Sequence, residues 1–409
     1  FAELSDGLSS QSLQIVIPEG HLSAECKSKL VTGASISAVG VFQKSQGGGQ
    51  AWELLADRVA VLGSCNSDVY PIQKKEHSDE FLRSQLHLRL RTEKYARLAR
   101  IRHRLLNHIY NFYNAQQFIQ VHPPIITEHD CEGGGESFRV DSDARPNFFS
   151  KPAYLSVSSQ LHLELAASSL ARVFSMMPVF RAENHHTSRH LAEFWMLECE
   201  MSFVENLSVL LDFSEDFIKS CMDVIIRDVE VGSNSEMLNE LSSAASKPFG
   251  RISYSEVVEI LIKNQHKFIK KVDWGTDLQT EHERFIAEEV FKGPVFVTDY
   301  PDGIKPFYMK KNSDNRTVAC MDLLVPGIGE ILGGSLREND CSALIDSMGR
   351  KLSPSAMDSL SWYTDLRVFG SAPHGGFGFG FDRFLQYSLG IPNIRDVILI
   401  PRVAGSIKF

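Results

Sequence analysis

The sequence has no excess of positive charge. Its 42 lysines and arginines are outnumbered by 51 aspartates and glutamates, which gives a formal net charge of -9. A chain with this balance lacks the overall basic character of many nucleic-acid-binding proteins, although a local basic face is compatible with it. The seven cysteines include no CxxC pair. That pattern suggests a reducing compartment and argues against a structural zinc site.

Long apolar runs are also absent. No stretch of about 18 apolar residues occurs in the sequence, so no membrane-spanning helix is predicted. The chain opens on Phe1 rather than on methionine, and strand-like patterns begin at once. We expect the start to have been cut, in which case any targeting segment lies outside this sequence.

The 409 residues are enough for two domains. Residues 1–63 contain the runs LQIVIP, SISAVGVFQ and WELLADRVAVLG, separated by glycine and serine. They predict a small β-barrel that lacks its first strand. Residues 64–92 are polar and fit either a hinge or a long solvated loop. Residues 93–409 open on a long amphipathic helix and continue with strands that are mostly adjacent in sequence. This order predicts an α+β domain with an antiparallel sheet flanked by helices.

A charged hairpin is predicted between Phe180 and Glu200. Two alternating segments flank a polar loop at 184–188. Arg181 and Glu183 share one face of the first segment, and charged residues recur along the second. Two interpretations stay open: a solvated outer face with cross-strand ion pairs, or the floor of a site for a ligand that carries both phosphate and amine.

Two further segments contain residues suited to phosphate and metal ions. HGGFGFGFDRFLQYSLG places glycine at alternate positions of a strand, which leaves one face bare. Arg383 then lies in the first turn of a helix, where it can bind phosphate. DLLVPGIGEILGGSLRE contains Asp322 and Glu330, two carboxylates that can hold Mg²⁺. The glycine-striped strand is a weak signal by itself. The carboxylate pair is also weak alone, because two carboxylates at this spacing are more often surface charges than metal ligands.

Together and in this order, these segments resemble the class II aminoacyl-tRNA synthetases. FIQVHPPIIT, with Pro124, is similar to the first motif of that family, FRAENHHTSRHLAEF to its second and GFGFGFDRF to its third. The resemblance covers almost the whole chain. It is strongest to the asparaginyl members of the subclass that also contains the aspartyl and lysyl enzymes. It implies an asparagine–tRNA ligase with ATP as a substrate and Mg²⁺ as a cofactor.

The resemblance also implies roles for individual residues. Arg181 and Arg383 would be catalytic, Arg181 on the α-phosphate of ATP and Arg383 on the γ-phosphate. The residues of the ATP site would be Arg181, Glu183, Arg189, His190, Phe194, Glu330, Gly380 and Arg383. The residues that bind the amino acid would be Glu132, Ser158, Gln160, Glu198 and Arg337. Mg²⁺ would be held by Asp322 and Glu330.

Amino-acid specificity is inferred from a few positions. Aspartyl enzymes typically carry a lysine three residues after the glutamine that corresponds to Gln160, and here that position is Leu163. A neutral carboxamide would accept a hydrogen bond from Arg337 and donate one to Glu198. Aspartate would face Glu198 with no lysine to balance the charge. In the alternative interpretation, Glu198 only orients Arg337.

The remaining expectations concern partners and location. The first domain would be an OB-fold that binds the anticodon of tRNA(Asn), with Phe1 as a weak candidate for base stacking. The first motif would form a homodimer interface. The run TVACMDLLVPGIGEILGGSLRE resembles mitochondrial members, so we expect the mitochondrial matrix, with the cytoplasm as the alternative. Two other functions stay open: an aspartyl enzyme that charges both tRNAs, and a non-charging relative.

Overall fold

The computed structural model describes residues 1–128, 137–143, 145–146, 148–184, 187–228 and 235–409. The chain divides into two compact units, Phe1–His103 and Arg104–Phe409. The division falls inside one helix, Glu93–Ala115. The predicted domain bounds 1–63, 64–92 and 93–409 therefore stay predictions.

The first unit contains a four-stranded sheet. Its strands are β1 (Ala2–Leu4), β2 (Leu13–Val16), β3 (Ser35–Lys44) and β4 (Trp52–Gly63), in the spatial order β1-β2-β4-β3. β2 runs parallel to β4, and the other pairs are antiparallel. Ile15, Ala56 and Val59 form its small core. Three of the strands coincide with the predicted runs, whereas the assignment as an anticodon-binding OB-fold stays a prediction.

Three helices begin in the first unit: α1 (Ala24–Lys29), α2 (Asp79–Ser84) and α3 (Glu93–Ala115). The hydroxyls of Ser23 and Ser78 accept hydrogen bonds from main-chain N–H groups in the first turns of α1 and α2, which fixes where these helices start. α2 lies inside the segment 64–92, so that segment is partly helical rather than a loop throughout. α3 confirms the helix predicted from apolar spacing.

The second unit is built on a large sheet. Its strands are β5 (Ile119–Gln120), β6 (Ile126–Thr127), β7 (Arg139–Val140), β8 (Ala153–Leu155), β9 (Arg172–Phe180), β10 (Glu193–Ser202), β11 (Gly250–Ser253), β12 (Val295–Thr298), β13 (Cys320–Val325), β14 (Gly329–Leu336) and β15 (His374–Gly380). Eight of them form one sheet in the order β11-β12-β13-β14-β15-β10-β9-β5, and β6, β8 and β7 form a small second sheet. The β11–β12 and β5–β9 pairs are parallel; the other described pairs of this unit are antiparallel.

Helices flank the large sheet. They are α4 (Gln160–Leu170), α5 (Leu207–Arg227), α6 (Ser235–Ser246), α7 (Tyr254–Lys263), α8 (Thr280–Phe285), α9 (Cys341–Lys351), α10 (Pro354–Ser359), α11 (Ser361–Val368) and α12 (Phe381–Ser388). α4 lies against β9 and β10, and α5 against β13 to β15. Phe217 of α5 is fully buried with its ring centroid 5.2 Å from that of Phe379 in β15. This arrangement confirms the predicted α+β class. Within the described residues, none of the helices has the length and apolar character to span a membrane.

Candidate active site

The register of three central strands determines where the site can form. Glu198 on β10 pairs with Gly378 on β15, and Gly378 in turn pairs with Gly333 on β14. Because glycine has no side chain, the sheet surface beside Glu198 is left open across two strands. A cavity of about 290 Å³ lies there. We call it the Arg337 cavity, since Arg337 and Glu198 both line it.

The glycines of β15 serve different purposes. A Cβ on Gly376 would overlap the carbonyl oxygen of Cys199 and the carboxylate of Glu200. A Cβ on Gly378 would lie 2.6 Å from Cε of Met196, whereas one on Gly380 would meet nothing nearer than 3.6 Å. The expectation of a uniformly bare face is therefore wrong for Gly376, where a neighbouring strand occupies the space, and correct at Gly380.

Alanine substitutions will separate these roles. Gly376→Ala forces a methyl group into the main chain of β10, so we expect the free energy of unfolding to fall by about 3 kcal/mol. Gly380→Ala should change it by less than about 1 kcal/mol. Chemical denaturation of both variants measures the difference. Equal stability of the two variants would show that β10 and β15 are not packed as described.

A second cavity, of about 110 Å³, adjoins the first. We call it the arginine cavity, because Arg181, Arg189 and Arg383 line it. The guanidinium of Arg181 lies 5.5 Å from the ring centroid of Phe194. Arg189 Nη1 donates to Oε2 of Glu283 at 2.9 Å. Three guanidinium groups around a cavity with an aromatic wall are suited to a polyanion that carries a flat ring.

Arg383 extends from the start of α12 into this cavity. Its Nη1 donates to the main-chain oxygen of Glu330 at 3.0 Å. Burial lowers the pKa of the Arg383 guanidinium from its ordinary value, the Glu330 carboxylate opposes the shift, and the nearby Arg189 adds to it. The guanidinium remains charged at neutral pH, so cations are crowded here. An anionic ligand would relieve that repulsion.

The two cavities share Arg181, Met196, Glu330 and Gly378 as lining residues. Arg181 therefore faces both. A group bound in the arginine cavity and a group bound in the Arg337 cavity would meet beside this guanidinium. Such an arrangement suits a transfer reaction in which charge develops between two bound anions.

The predicted metal ligands come together above Gly333. An ideal Cβ on Gly333 would lie 2.9 Å from Oε1 of Glu330 and 3.3 Å from Oδ1 of Asp322, so both oxygens approach one point. Hard oxygen ligands of this kind fit a divalent cation that also bridges phosphates. Lys305 occupies the other oxygen of Asp322, with Nζ 2.6 Å from Oδ2. Burial opposes the lysine charge, but the Asp322 carboxylate raises the pKa of Lys305 above its ordinary value.

Glu198 and Arg337 line one cavity but have different partners. The buried carboxylate of Glu198 accepts hydrogen bonds from the Ser158 hydroxyl, from the Ser159 main-chain N–H at 2.7 Å and from the Ser159 hydroxyl at 2.5 Å. Arg337 forms a two-pronged ion pair with Glu200, with Nη2 2.9 Å from Oε2 and Nε 3.0 Å from Oε1. The structure thus supplies Glu200, not Glu198, as the residue that orients Arg337.

Comparisons with known proteins agree with this geometry. Residues 78–404 match the family described as tRNA synthetases class II (D, K and N). The chain belongs to this family of synthetases. An asparagine–tRNA ligase of Nitratidesulfovibrio vulgaris is 43% identical over 431 residues, which cover all of this chain and 92% of the relative.

Solved synthetase structures are similar as well. Asparaginyl-tRNA synthetase from Pyrococcus horikoshii, complexed with asparaginyl-adenylate, superimposes with a TM-score of 0.89 at 32% identity, covering 99% of this chain and 91% of that one. The asparaginyl-tRNA synthetase of Entamoeba histolytica in complex with asparaginyl-adenylate gives 0.86 at 28% identity, with coverage of 100% and 92%. The resemblance inferred from the three motifs is confirmed.

Most of the predicted site residues of this synthetase line the two cavities. The predicted ATP-site residues all line the arginine cavity: Arg181, Glu183, Arg189, His190, Phe194, Glu330, Gly380 and Arg383. The Arg337 cavity is lined by Ser158, Gln160, Glu198, Arg337, Asp322 and Glu330. Glu132 lies outside the described residues. Phe1 is 91% exposed in the first unit, and its role as a stacking residue stays a prediction.

Sequence reasoning missed a buried polar cluster behind Arg337. Its members are Glu164, Glu200, Tyr363, Arg367 and His374, all of them buried. Glu164 follows Gln160 by one helical turn, and the two side chains hydrogen-bond at 2.8 Å. Glu200 follows Glu198 at the spacing of two that places both on one face of a strand. These local spacings were signals for Glu164 and Glu200. Lys305 had no such local signal, since it lies between β12 and β13 and its partner Asp322 lies 17 positions later on β13.

Proposed function

We propose that this synthetase is an asparagine–tRNA ligase that uses ATP to activate asparagine to asparaginyl-adenylate and then transfers the acyl group to the 3′ end of tRNA(Asn). The observation that carries the proposal is the pair of adjoining cavities. One is lined by three arginines, and the other ends at an Arg337 whose charge is already paired. A polyanion suits the first cavity and an uncharged side chain suits the second.

Arginines are the groups that this first step needs. The attacking α-carboxylate of the amino acid is already ionised, so no general base is required. The protein must bring two anions together and neutralise the charge that develops on the α-phosphate. Arg181, which faces both cavities, is placed for that role. Arg189 and Arg383 would hold the pyrophosphate end, where a bidentate guanidinium is better matched to phosphate oxygens than an ammonium.

Asp322 and Glu330 would hold Mg²⁺, which neutralises phosphate charge when it is bound. Their two oxygens approach one point beside the shared wall of the cavities. Lys305 restrains Asp322 through the other carboxylate oxygen, and its charge opposes the burial that raises the pKa of the Asp322 carboxyl. In the second step, the adenosine hydroxyl of tRNA attacks the acyl carbon, the bond between that carbon and the phosphate oxygen breaks, and AMP leaves. The described residues of the cavities present no dedicated base, and a phosphate oxygen of the adenylate would accept the proton.

Asparagine is favoured over aspartate because the second cavity contains little uncompensated positive charge. Leu163, at the position of the aspartyl enzymes' lysine, is fully buried and lines the cavity. Glu200 neutralises Arg337, and Glu198 adds a negative charge on the same surface. An amide oxygen can accept from the remaining Arg337 donors, whereas a carboxylate would be repelled.

Amino-acid-dependent ATP–pyrophosphate exchange across the twenty amino acids tests the proposal. Asparagine alone should support strong exchange, and the protein should then acylate tRNA(Asn). Exchange with aspartate would favour an aspartyl enzyme that charges both tRNAs. Exchange with none would favour a non-charging relative, including one that makes asparagine from aspartate and ammonia.

Glu198→Gln should weaken the use of asparagine far more than the use of ATP. In the wild type, donors from Ser158 and Ser159 point at the Glu198 carboxylate. The NH₂ group of a glutamine at this position would face those donors with another donor, so we expect the KM for asparagine to rise about 10- to 100-fold. Exchange kinetics with each substrate varied in turn measure this. The exposed Glu205→Gln is the matched control. Equal losses for asparagine and ATP would count against a role of Glu198 in reading the side chain.

The partners and the location are further proposals. The first motif, around Pro124, would form a homodimer interface, which light scattering after size exclusion tests. The first unit would bind the anticodon of tRNA(Asn), which footprinting of the bound tRNA tests. The mitochondrial matrix is the proposed location, supported by the sequence runs alone, with the cytoplasm as the alternative. Fractionation of the source cells tests it.

A further inference from the structure

We propose that His374 is a positively charged positioning residue of the asparagine pocket, which acts with Arg367 to hold the Glu164 carboxylate behind Arg337. His374 is the first residue of β15, and its main-chain oxygen accepts a hydrogen bond from the Arg337 N–H at 2.9 Å. The inference rests on the proposed function, because the pocket it serves is the one assigned to the substrate side chain.

The hydrogen-bond partners of the His374 ring require two ring protons. Nδ1 lies 2.8 Å from the main-chain oxygen of Ala372, and Nε2 lies 2.9 Å from Oε2 of Glu164. A carbonyl oxygen can only accept, so Nδ1 carries a proton. An ionised carboxylate can also only accept, so Nε2 carries one as well.

Glu164 is ionised because it is surrounded by donors. Arg367 Nη2 donates to it at 2.6 Å, the Tyr363 hydroxyl at 2.8 Å and Gln160 Nε2 at 2.8 Å. Burial works against its charge, but Arg367 and His374 hold the pKa of Glu164 well below its usual range. Nη2 of Arg367 also donates to the Tyr363 hydroxyl at 2.8 Å, so both of its protons are used and none is left for His374.

The groups that face His374 come from four elements and balance in charge. Burial opposes the imidazolium, but the hydrogen bond to Glu164 and the nearby Glu200 raise the pKa of His374 above 6.5, with Arg367 opposing. The titratable and charged neighbours are Glu164 from α4, Glu200 from β10, Tyr363 and Arg367 from α11, and Arg337 after β14. With Glu198, three negative charges face three positive ones. A neutral amide preserves this balance.

His374 acts on the substrate through Arg337. Nε of Arg337 lies 3.8 Å from Oε1 of Glu164, which places that carboxylate directly behind the guanidinium. Loss of either imidazolium proton would leave a ring-nitrogen lone pair against an acceptor, the Ala372 carbonyl oxygen at 2.8 Å or the Glu164 carboxylate oxygen at 2.9 Å, so the ring would shift and Glu164 with it. Arg337 would then lose its alignment. Because the pKa of His374 is raised above its ordinary value, the ring loses a proton only as the pH rises through that raised pKa.

Nitrogen-15 NMR of protein labelled at histidine measures directly whether each ring nitrogen is protonated. We expect the His374 signal to keep both ring nitrogens protonated to a higher pH than the His108 signal, because the Glu164 carboxylate raises the pKa of His374 and burial lowers the pKa of His108. His374→Gln should remove the His374 signal, and His108→Gln, a histidine bonded to Ser220 away from the pocket, should not. A His374 signal that titrates at or below the pH at which the His108 signal titrates overturns the proposal.

Exchange kinetics add the functional readout. His374→Gln should raise the KM for asparagine about 10- to 100-fold and leave the KM for ATP within about twofold. The ratio of variant to wild-type KM for asparagine should fall as the pH rises, because the wild type loses its own imidazolium. The substrate amino group titrates equally in both and cancels. A ratio that does not change with pH would reduce His374 to a structural residue. Strong exchange with a different amino acid would instead refute the proposed function and leave the NMR result standing.

Discussion

Arg383→Ala should lower asparagine-dependent pyrophosphate exchange by about 10³-fold or more. The guanidinium projects from the first turn of α12 into the arginine cavity, and its Nη1 is fixed by the main-chain oxygen of Glu330. An ATP folded into this cavity would lose the group that neutralises its terminal phosphates. The loss should fall on the rate of the chemical step as well as on ATP binding, because pyrophosphate gains charge as it leaves.

The controls separate chemistry from folding. Circular dichroism and thermal unfolding should show a folded protein, since Arg383 donates one hydrogen bond to the main chain and its 3.8 Å ion pair with Glu330 is long. Arg383→Lys keeps the positive charge but lacks the planar guanidinium that can bind phosphate through two donors, so it should retain part of the activity. Arg284→Ala removes an exposed arginine that pairs with Glu288 and should leave exchange unchanged. Exchange near the parental rate in folded Arg383→Ala would refute the phosphate assignment.

The sequence predicted the centre of the site better than its surroundings. The glycine-striped strand that leads into the helix of Arg383 is readable within about twenty residues, whereas the predicted charged strand at Arg181 is wrong, because β9 ends at Phe180 and Arg181 lies in the connection to β10. The β10–β15–β14 register brings Glu198, Gly378 and Gly333 side by side, and each is recognisable from its own strand. The α+β class followed from the order of these elements.

The surroundings depend on long-range packing. His374 meets Glu164 across 210 positions of the chain, and Lys305 reaches Asp322 from the segment between β12 and β13. No local periodicity in the sequence indicates a contact between residues so far apart in the chain. Gly376 was misjudged for the same reason, since the space beside it is filled by Cys199 and Glu200 of a neighbouring strand. A strand pattern shows which face a residue is on, but not what fills the space opposite.

Glu200→Gln should reverse the balance between asparagine and aspartate. The ion pair with Arg337 is buried on both sides, with the two side chains 4% and 0% exposed. A glutamine removes the compensating charge and leaves a buried guanidinium with Glu164 at 3.8 Å as its nearest carboxylate partner. Replacing one partner of a buried pair typically costs about 3–5 kcal/mol of stability. An aspartate side chain could restore the missing charge, whereas asparagine could not.

We therefore expect the ratio of exchange with aspartate to exchange with asparagine to rise about 100-fold in Glu200→Gln. Aspartate, unlike asparagine, should also raise the melting temperature of this variant, because it supplies the missing carboxylate. Glu200→Asp retains the charge and should keep the parental preference for asparagine. If both variants lost asparagine and aspartate exchange to the same extent, Glu200 would only support the packing of Arg337. If Glu200→Gln still rejected aspartate, rejection would have to come from another carboxylate that lines this cavity: Glu198, Asp322 or Glu330.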